Sequence, residues 1–89
     1  MFYKVIYHKK AQKFIQSNKI IGLKFIMAFD EISTNKDNLK KYDVKKFHSK
    51  EFDDIFRLRI GKNRAIFRII NNQIVIYVLD IGSRGDIYK

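Results

Sequence analysis

Eighty-nine residues make room for one domain with one modest core, and a hydrophobic fraction of 46 % with 15 % aromatics argues against disorder. Cysteine is absent, which excludes disulfides, thiolate nucleophiles and cysteine-ligated zinc and suits a reducing compartment. Nineteen Lys and Arg against nine Asp and Glu leave a net charge of +10, an excess that a polyanion would relieve: nucleic acid foremost, with an acidic protein or an anionic membrane surface as the other candidates.

The opening "MFYKVIYHKK" has the pattern of neither a signal nor a transit peptide. No apolar run nears the roughly 18 residues of a membrane span. The expectation is a cytoplasmic protein with no membrane partner. "FYKVIY" (2–7) is aromatic and β-branched and predicts a strand. "KKAQKFIQ" (9–16) sets Ala11, Phe14 and Ile15 at helical spacing. Ser17 and Asn18 break that helix and can cap the next one, "KIIGLKFIMAFDEIS" (19–33). There Ile21, Phe25, Ala28 and Ile32 form one stripe, widened by Leu23, Ile26 and Phe29, with Gly22 weakening the helix slightly. The pair predicts an αα-hairpin.

Residues 34–50 have no clean period and suggest a basic connector anchored by Leu39, Tyr42, Val44 and Phe47. Period-2 patterning then predicts strands over 52–60, 64–70 and 73–81, joined by "GKN" and "NN" turns. The tail 82–89 is broken by glycines. The order β-α-α-β-β-β predicts a single α+β domain over 1–89, a helical hairpin packed on one face of a mainly antiparallel sheet.

Either two-residue turn, Gly61-Lys62 or Lys62-Asn63, gives the hairpin the same facing. Phe56, Leu58, Ile60, Ala65, Phe67 and Ile69 share one side; Arg57, Arg59, Arg64, Ile66 and Arg68 share the other. No carboxylate falls among these arginines, although like charges opposite each other destabilise a hairpin. A solvated sheet face would account for any one of them. The set points to phosphate, which a guanidinium grips with two donors and a charge that never titrates away. The last strand runs into Gly82-Ser83-Arg84, and Tyr88 follows four residues later. Tyr88 either tacks down the tail or offers a phenol whose ionised form nearby cations would favour.

The element order, "RLRIGKNRAIFRI" (57–69), the preceding "DVKKF" (43–47) and the terminal "IGSRGDIY" together resemble the RelE/ParE superfamily of bacterial toxins. The closest branch resembles the RelE-type mRNA interferases. The resemblance implies a toxin neutralised by a small acidic antitoxin. It implies an endoribonuclease that enters the ribosomal A site, contacts ribosomal RNA and cleaves mRNA there without metal or cofactor. The 2′-OH attacks its adjacent phosphate and leaves a 2′,3′-cyclic phosphate and a 5′-OH. The implied catalytic set is Arg57 and Arg59 on the first hairpin strand, Arg64 on the second, Arg84 after the last strand and Tyr88 near the end. Arg68, Lys45, Lys46 and Lys62 would contact RNA around it. Relatives that carry lysine in the basic pair have a group that titrates; Arg57 and Arg59 do not. That leaves Tyr88 as the leading proton carrier and Arg84 as leaving-group stabiliser. A branch with a Glu base and a C-terminal His is a poorer match, since the tail has no His; His48 in the connector and, more remotely, His8 remain as candidates that half-exposed structural histidines would equally explain. Two other readings stand beside the nuclease: a ParE-like inhibitor of DNA gyrase without nuclease activity, and an inactive relative that only represses its operon.

Overall fold

The computed structural model describes residues 3–46 and 54–83. Strand β1 (Lys4–Tyr7) leads into helices α1 (Lys9–Ser17) and α2 (Lys19–Thr34), then strands β2 (Asp43–Lys46), β3 (Ile55–Ile60), β4 (Asn63–Ile70) and β5 (Val75–Ser83). One five-stranded sheet results, in the order β1-β5-β4-β3-β2. Only β1 and β5 run parallel; every other pairing is antiparallel. The helical hairpin connects β1 at one edge to β2 at the other and crosses a single face of the sheet. The α+β class read from the sequence holds.

The core lies under that crossing. Phe25, Ala28, Phe29 and Ile32 of α2 are fully buried against Leu58, Ala65, Phe67, Ile76 and Val78. Phe29 meets Phe67 edge-on with ring centroids 5.0 Å apart, and Phe56 stacks on Phe67 at 5.8 Å. Each large side chain buried this way contributes about 2 kcal/mol. Of the expected stripe, Phe25, Ala28, Phe29 and Ile32 are buried and Ile21 packs on the core, whereas Ile26 is half-buried and Leu23 lies outside. That side chain is 55 % exposed and shares the outer side of α2 with Ile20 and Met27.

Asn18 caps the other way from the expectation. Its backbone N–H and its side-chain amide both donate to the Phe14 carbonyl and close α1, and it makes no side-chain bond to the start of α2. Gly22 is not merely tolerated. A Cβ there would stand 2.8 Å from Ile15 Cα, so the missing side chain lets the two helices meet.

Three features of the sheet depart from the pattern. The connector holds a 3₁₀ turn (Lys36–Lys41) and then β2. An edge strand of four residues with Val44 as its one aliphatic residue carries too little alternation to be read. The β4–β5 connection is a 3₁₀ turn (Asn71–Gln73) followed by Ile74 in the left-handed region, φ 55° and ψ 51°. That conformation costs a β-branched residue about 1 kcal/mol. It is held by the Ile74 N–H on Asn71 O and by the Lys4 N–H on Ile74 O. Finally, strict alternation from Ile76 and Val78 would turn Asp80 into the core. The register shifts instead: Phe67 faces Val78 and Ile66 faces Asp80. Leu79 is absorbed as a bulge, and Ile81 returns to the helix side, 3 % exposed.

Gly22→Ala should destabilise the protein by about 1–3 kcal/mol through backbone crowding, although alanine is the better helix former by about 1 kcal/mol. Urea unfolding of the two proteins measures the sign directly.

Candidate nucleic-acid interface

The face turned away from the helices carries the arginines, in rows that the strand register fixes. One row reads Asp43, Arg59, Arg64, Gly82 across β2, β3, β4 and β5; the next reads Lys45, Arg57, Ile66, Asp80. In a third, Ile55, Arg68, Tyr77 and Ile6 are opposed from β3 through to β1. The hairpin turn is Gly61-Lys62, because Ile60 faces Asn63. Gly61 has φ +60°, the conformation that a two-residue hairpin needs at its first turn position and that glycine adopts without cost.

Arg59 and Arg64 stand directly opposite each other on β3 and β4. Arg64 is only 8 % exposed, the one buried charged residue among those described. With Lys62, Gly61 and Ser83 the pair lines a groove of about 340 Å³. Ser83 is paired with Asn63, so the chain leaves β5 at the rim of this groove. Arg84 and Tyr88, like Phe47 and His48, lie outside the described residues. Arg57 sits one row along, and its Nε is buried with no hydrogen-bond partner. An unsatisfied buried donor costs about 1–3 kcal/mol, which an incoming acceptor would recover.

The face is not free of acid, contrary to the sequence reading. Asp43, on the strand that the pattern did not show, pairs with Arg59, Nε to Oδ2 2.8 Å. Asp54, at the bend before β3, takes Arg68 at two points, Nε to Oδ1 2.9 Å and Nη2 to Oδ2 3.0 Å. That pair also ties two segments, since Asp54 O accepts the Ile69 N–H. Asp80 is placed on the same face by the bulge. The cross-strand rule against unrelieved like charge is the signal that could have led to Asp43.

The other expected RNA contacts divide. Lys45 is opposite Arg57 and belongs to the face, whereas Lys46 is opposite Phe56, whose side is the helix side. Arg68 lies on the face but is engaged by Asp54. His8 is the N-cap of α1: its Nδ1 accepts the Lys10 N–H at 3.4 Å, and its ring lies 6.1 Å from that of Tyr77. No helix among the described residues is long and apolar enough to cross a membrane.

The Arg68 guanidinium, by hydrogen bonding first and charge second, holds the Asp54 carboxyl below the usual carboxylate range. A carboxyl depressed in the folded state stabilises it above its unfolded value of about 4 and loses that contribution as pH falls below it. Asp54→Asn should therefore cost about 1 kcal/mol at neutral pH, and the difference from the unaltered protein should close as pH falls below the usual carboxylate range. Chemical denaturation at two pH values checks this.

The model of the family "ParE toxin of type II toxin-antitoxin system, parDE" matches residues 5–88. A Methanocaldococcus jannaschii protein that carries the name of a RelE toxin is 29 % identical over 90 residues, covering 100 % of this chain and 98 % of its own. Archaeal RelE, solved in its complex with RelB from Pyrococcus horikoshii OT3, superposes with a TM-score of 0.78 at 29 % identity, over 97 % of this chain and 99 % of that one. The isolated E. coli RelE toxin shares the fold, with a TM-score of 0.71 at 14 % identity over 97 % and 90 % of the two chains. A helical hairpin on one face of a mainly antiparallel five-stranded sheet is thus the fold of a known group, and the chain belongs to the ParE toxin family of type II toxin–antitoxin systems, within the RelE/ParE superfamily.

Proposed function

We propose that this toxin is an endoribonuclease that cleaves mRNA in the ribosomal A site. The observation that carries the reading is the groove in which half-exposed Arg59 faces buried Arg64, next to the strand exit that leads to Arg84. Attack of a 2′-OH on its adjacent phosphate forms the cyclic P–O bond and breaks the bond to the 5′-oxygen. Negative charge builds on the phosphoryl oxygens between the two events. Fixed guanidiniums placed before the reaction stabilise that charge most, because they need not reorganise. Arg64 suits this role: its burial keeps the cation from turning out into water. Arg57, one row away and opposite Lys45, adds a cation on the same face for the neighbouring phosphate. Lys45 and Lys62 extend the positive rim along the RNA backbone.

Arginine remains protonated throughout, so a different group must accept the 2′-OH proton and supply one to the 5′-oxygen. Tyr88 takes both parts in this account, accepting the 2′-OH proton and returning one to the 5′-oxygen, while Arg84 stabilises the leaving oxygen by its charge; both roles are carried by the resemblance of the last seven residues. The account routes no step through a metal.

The partner is a small acidic antitoxin, as the RelE–RelB complex of the archaeal relative suggests. The outer side of α2 exposes Ile20, Leu23 and Met27, at 79 %, 55 % and 57 %, beside Lys19 and Lys24. An amphipathic helix with an apolar stripe and acidic flanks matches that surface; a second copy of a chain at net +10 does not. One finding favours the second reading, inhibition of DNA gyrase without nuclease activity: the family model that matches bears the ParE name. Cells expressing the chain distinguish the two, by arrested translation in one case and an SOS response in the other.

Arg64→Ala should lower single-turnover cleavage of mRNA on programmed ribosomes by about 10²-fold or more, and Tyr88→Phe by about 10²-fold if its phenol moves the proton, with ribosome binding little changed. An Arg64→Ala protein that loses only salt-dependent affinity would make Arg64 a phosphate anchor. Met27→Glu should weaken the antitoxin complex at least tenfold or so by placing a carboxylate in its apolar contact, measured by calorimetry, and leave cleavage by the free toxin intact.

A further inference from the structure

The two ion pairs of the arginine face are built differently. Asp54 holds Arg68 at two nitrogens, and both side chains are largely covered, 24 % and 29 % exposed. That guanidinium is committed. Arg59 is gripped at Nε, the nitrogen nearest its stem, by one oxygen of Asp43, and its side chain stays 50 % exposed. Half of that side chain therefore stays open to an approaching acceptor.

The position of Arg59 also needs explaining. It stands opposite Arg64, whose burial fixes that cation in place. A long, half-exposed side chain opposed by a fixed like charge has every reason to swing into solvent. Asp43 stands on the other side of Arg59, at its partner position on β2. With Lys24, Lys41, Tyr42 and Arg59 itself it lines a neighbouring cavity of about 450 Å³, and it is not among the residues lining the groove shared by Arg59, Arg64 and Ser83. Arg59 thus borders both cavities, and the carboxylate stands outside the one an anion would enter.

We propose that Asp43 is a positioning residue: from β2 it holds Arg59 over the groove beside Arg64, so that both guanidiniums meet one phosphate. The proposal rests on the nuclease reading above. Asp43 touches no reacting atom. It fixes Arg59 before RNA arrives, which removes an ordering cost from the transition state. It also lowers the positive charge of the face by one, which weakens ground-state attraction for RNA. The two effects have opposite signs in rate and in binding, and that separates positioning from simple charge balance.

The test is single-turnover cleavage of a defined mRNA on programmed ribosomes by the unaltered toxin, Asp43→Asn and Asp43→Glu, with folding followed by thermal unfolding. Asp43→Asn should lower the maximal rate by about 10²-fold, while the toxin concentration for half-saturation stays constant or falls. Asp43→Glu, which still reaches Arg59 Nε, should restore most of the rate. In NMR, the Arg59 Nε–H signal should be protected from exchange in the unaltered protein and in Asp43→Glu, and lost in Asp43→Asn. An Asp43→Asn protein that cuts at the full rate overturns the proposal and leaves the nuclease reading standing. So does a loss of rate that matches a loss of folded protein while the Arg59 signal is unchanged. An unaltered, folded toxin that leaves the mRNA whole overturns the nuclease reading and this proposal with it.

Discussion

Two guanidiniums facing each other across adjacent strands are the constraint on which the rest of this molecule turns. Arg59 and Arg64 are opposed in register, and one of them is buried. Left alone, the arrangement would push β3 and β4 apart or send a side chain into solvent. The sheet answers by placing acids around the cluster: Asp43 on the edge strand and Asp54 at the bend before β3. These acids sit beside the cations and not between them. The field stays concentrated on the groove at the hairpin turn.

A charged face of this kind cannot hold a small domain together, so the opposite face must. Phe25, Phe29 and Phe67 are fully buried there, and the helices come close enough to cover them because Gly22 has no side chain to strike Ile15. The bulge at Leu79 serves both faces. It keeps Val78 and Ile81 inward, delivers Asp80 to the arginine side, and sets Gly82 opposite Arg64. The site is therefore a product of register: the strands place the hairpin arginines, and Asp43 meets Arg59 from the neighbouring strand.

Much of this was legible in the residues. The stripe Phe25, Ala28, Ile32 and the alternation over 56–69 are strong periodic signals, from which the helix, the hairpin and the facing of its four arginines could be read. The edge strand was not legible, because Asp43–Lys46 presents one aliphatic side chain in four residues. With that strand hidden, the counter-ion of Arg59 was hidden too, and the face read as free of acid. The bulge was equally silent, since one extra residue leaves no local mark beyond a carboxylate at a position that alternation assigns to the core. Lys46 was set among the RNA contacts without that pairing, and the side of a strand is unknown until its pairing is. Leu23 was drawn into the core stripe by hydrophobicity alone, although its angle on the helix sets it with Ile20 and Met27.

The central claim is that the arginine groove cleaves RNA by activating its own 2′-OH. The most direct measurement is the chemistry of the cut ends. The purified toxin would be added, in EDTA, to ribosomes programmed with a defined mRNA and an empty A site, and the products' termini identified. The account predicts cleavage within the A-site codon, with a 2′,3′-cyclic phosphate on one fragment and a 5′-OH on the other. Intact mRNA in the presence of folded toxin, or fragments ending in 3′-OH and 5′-phosphate, would contradict it.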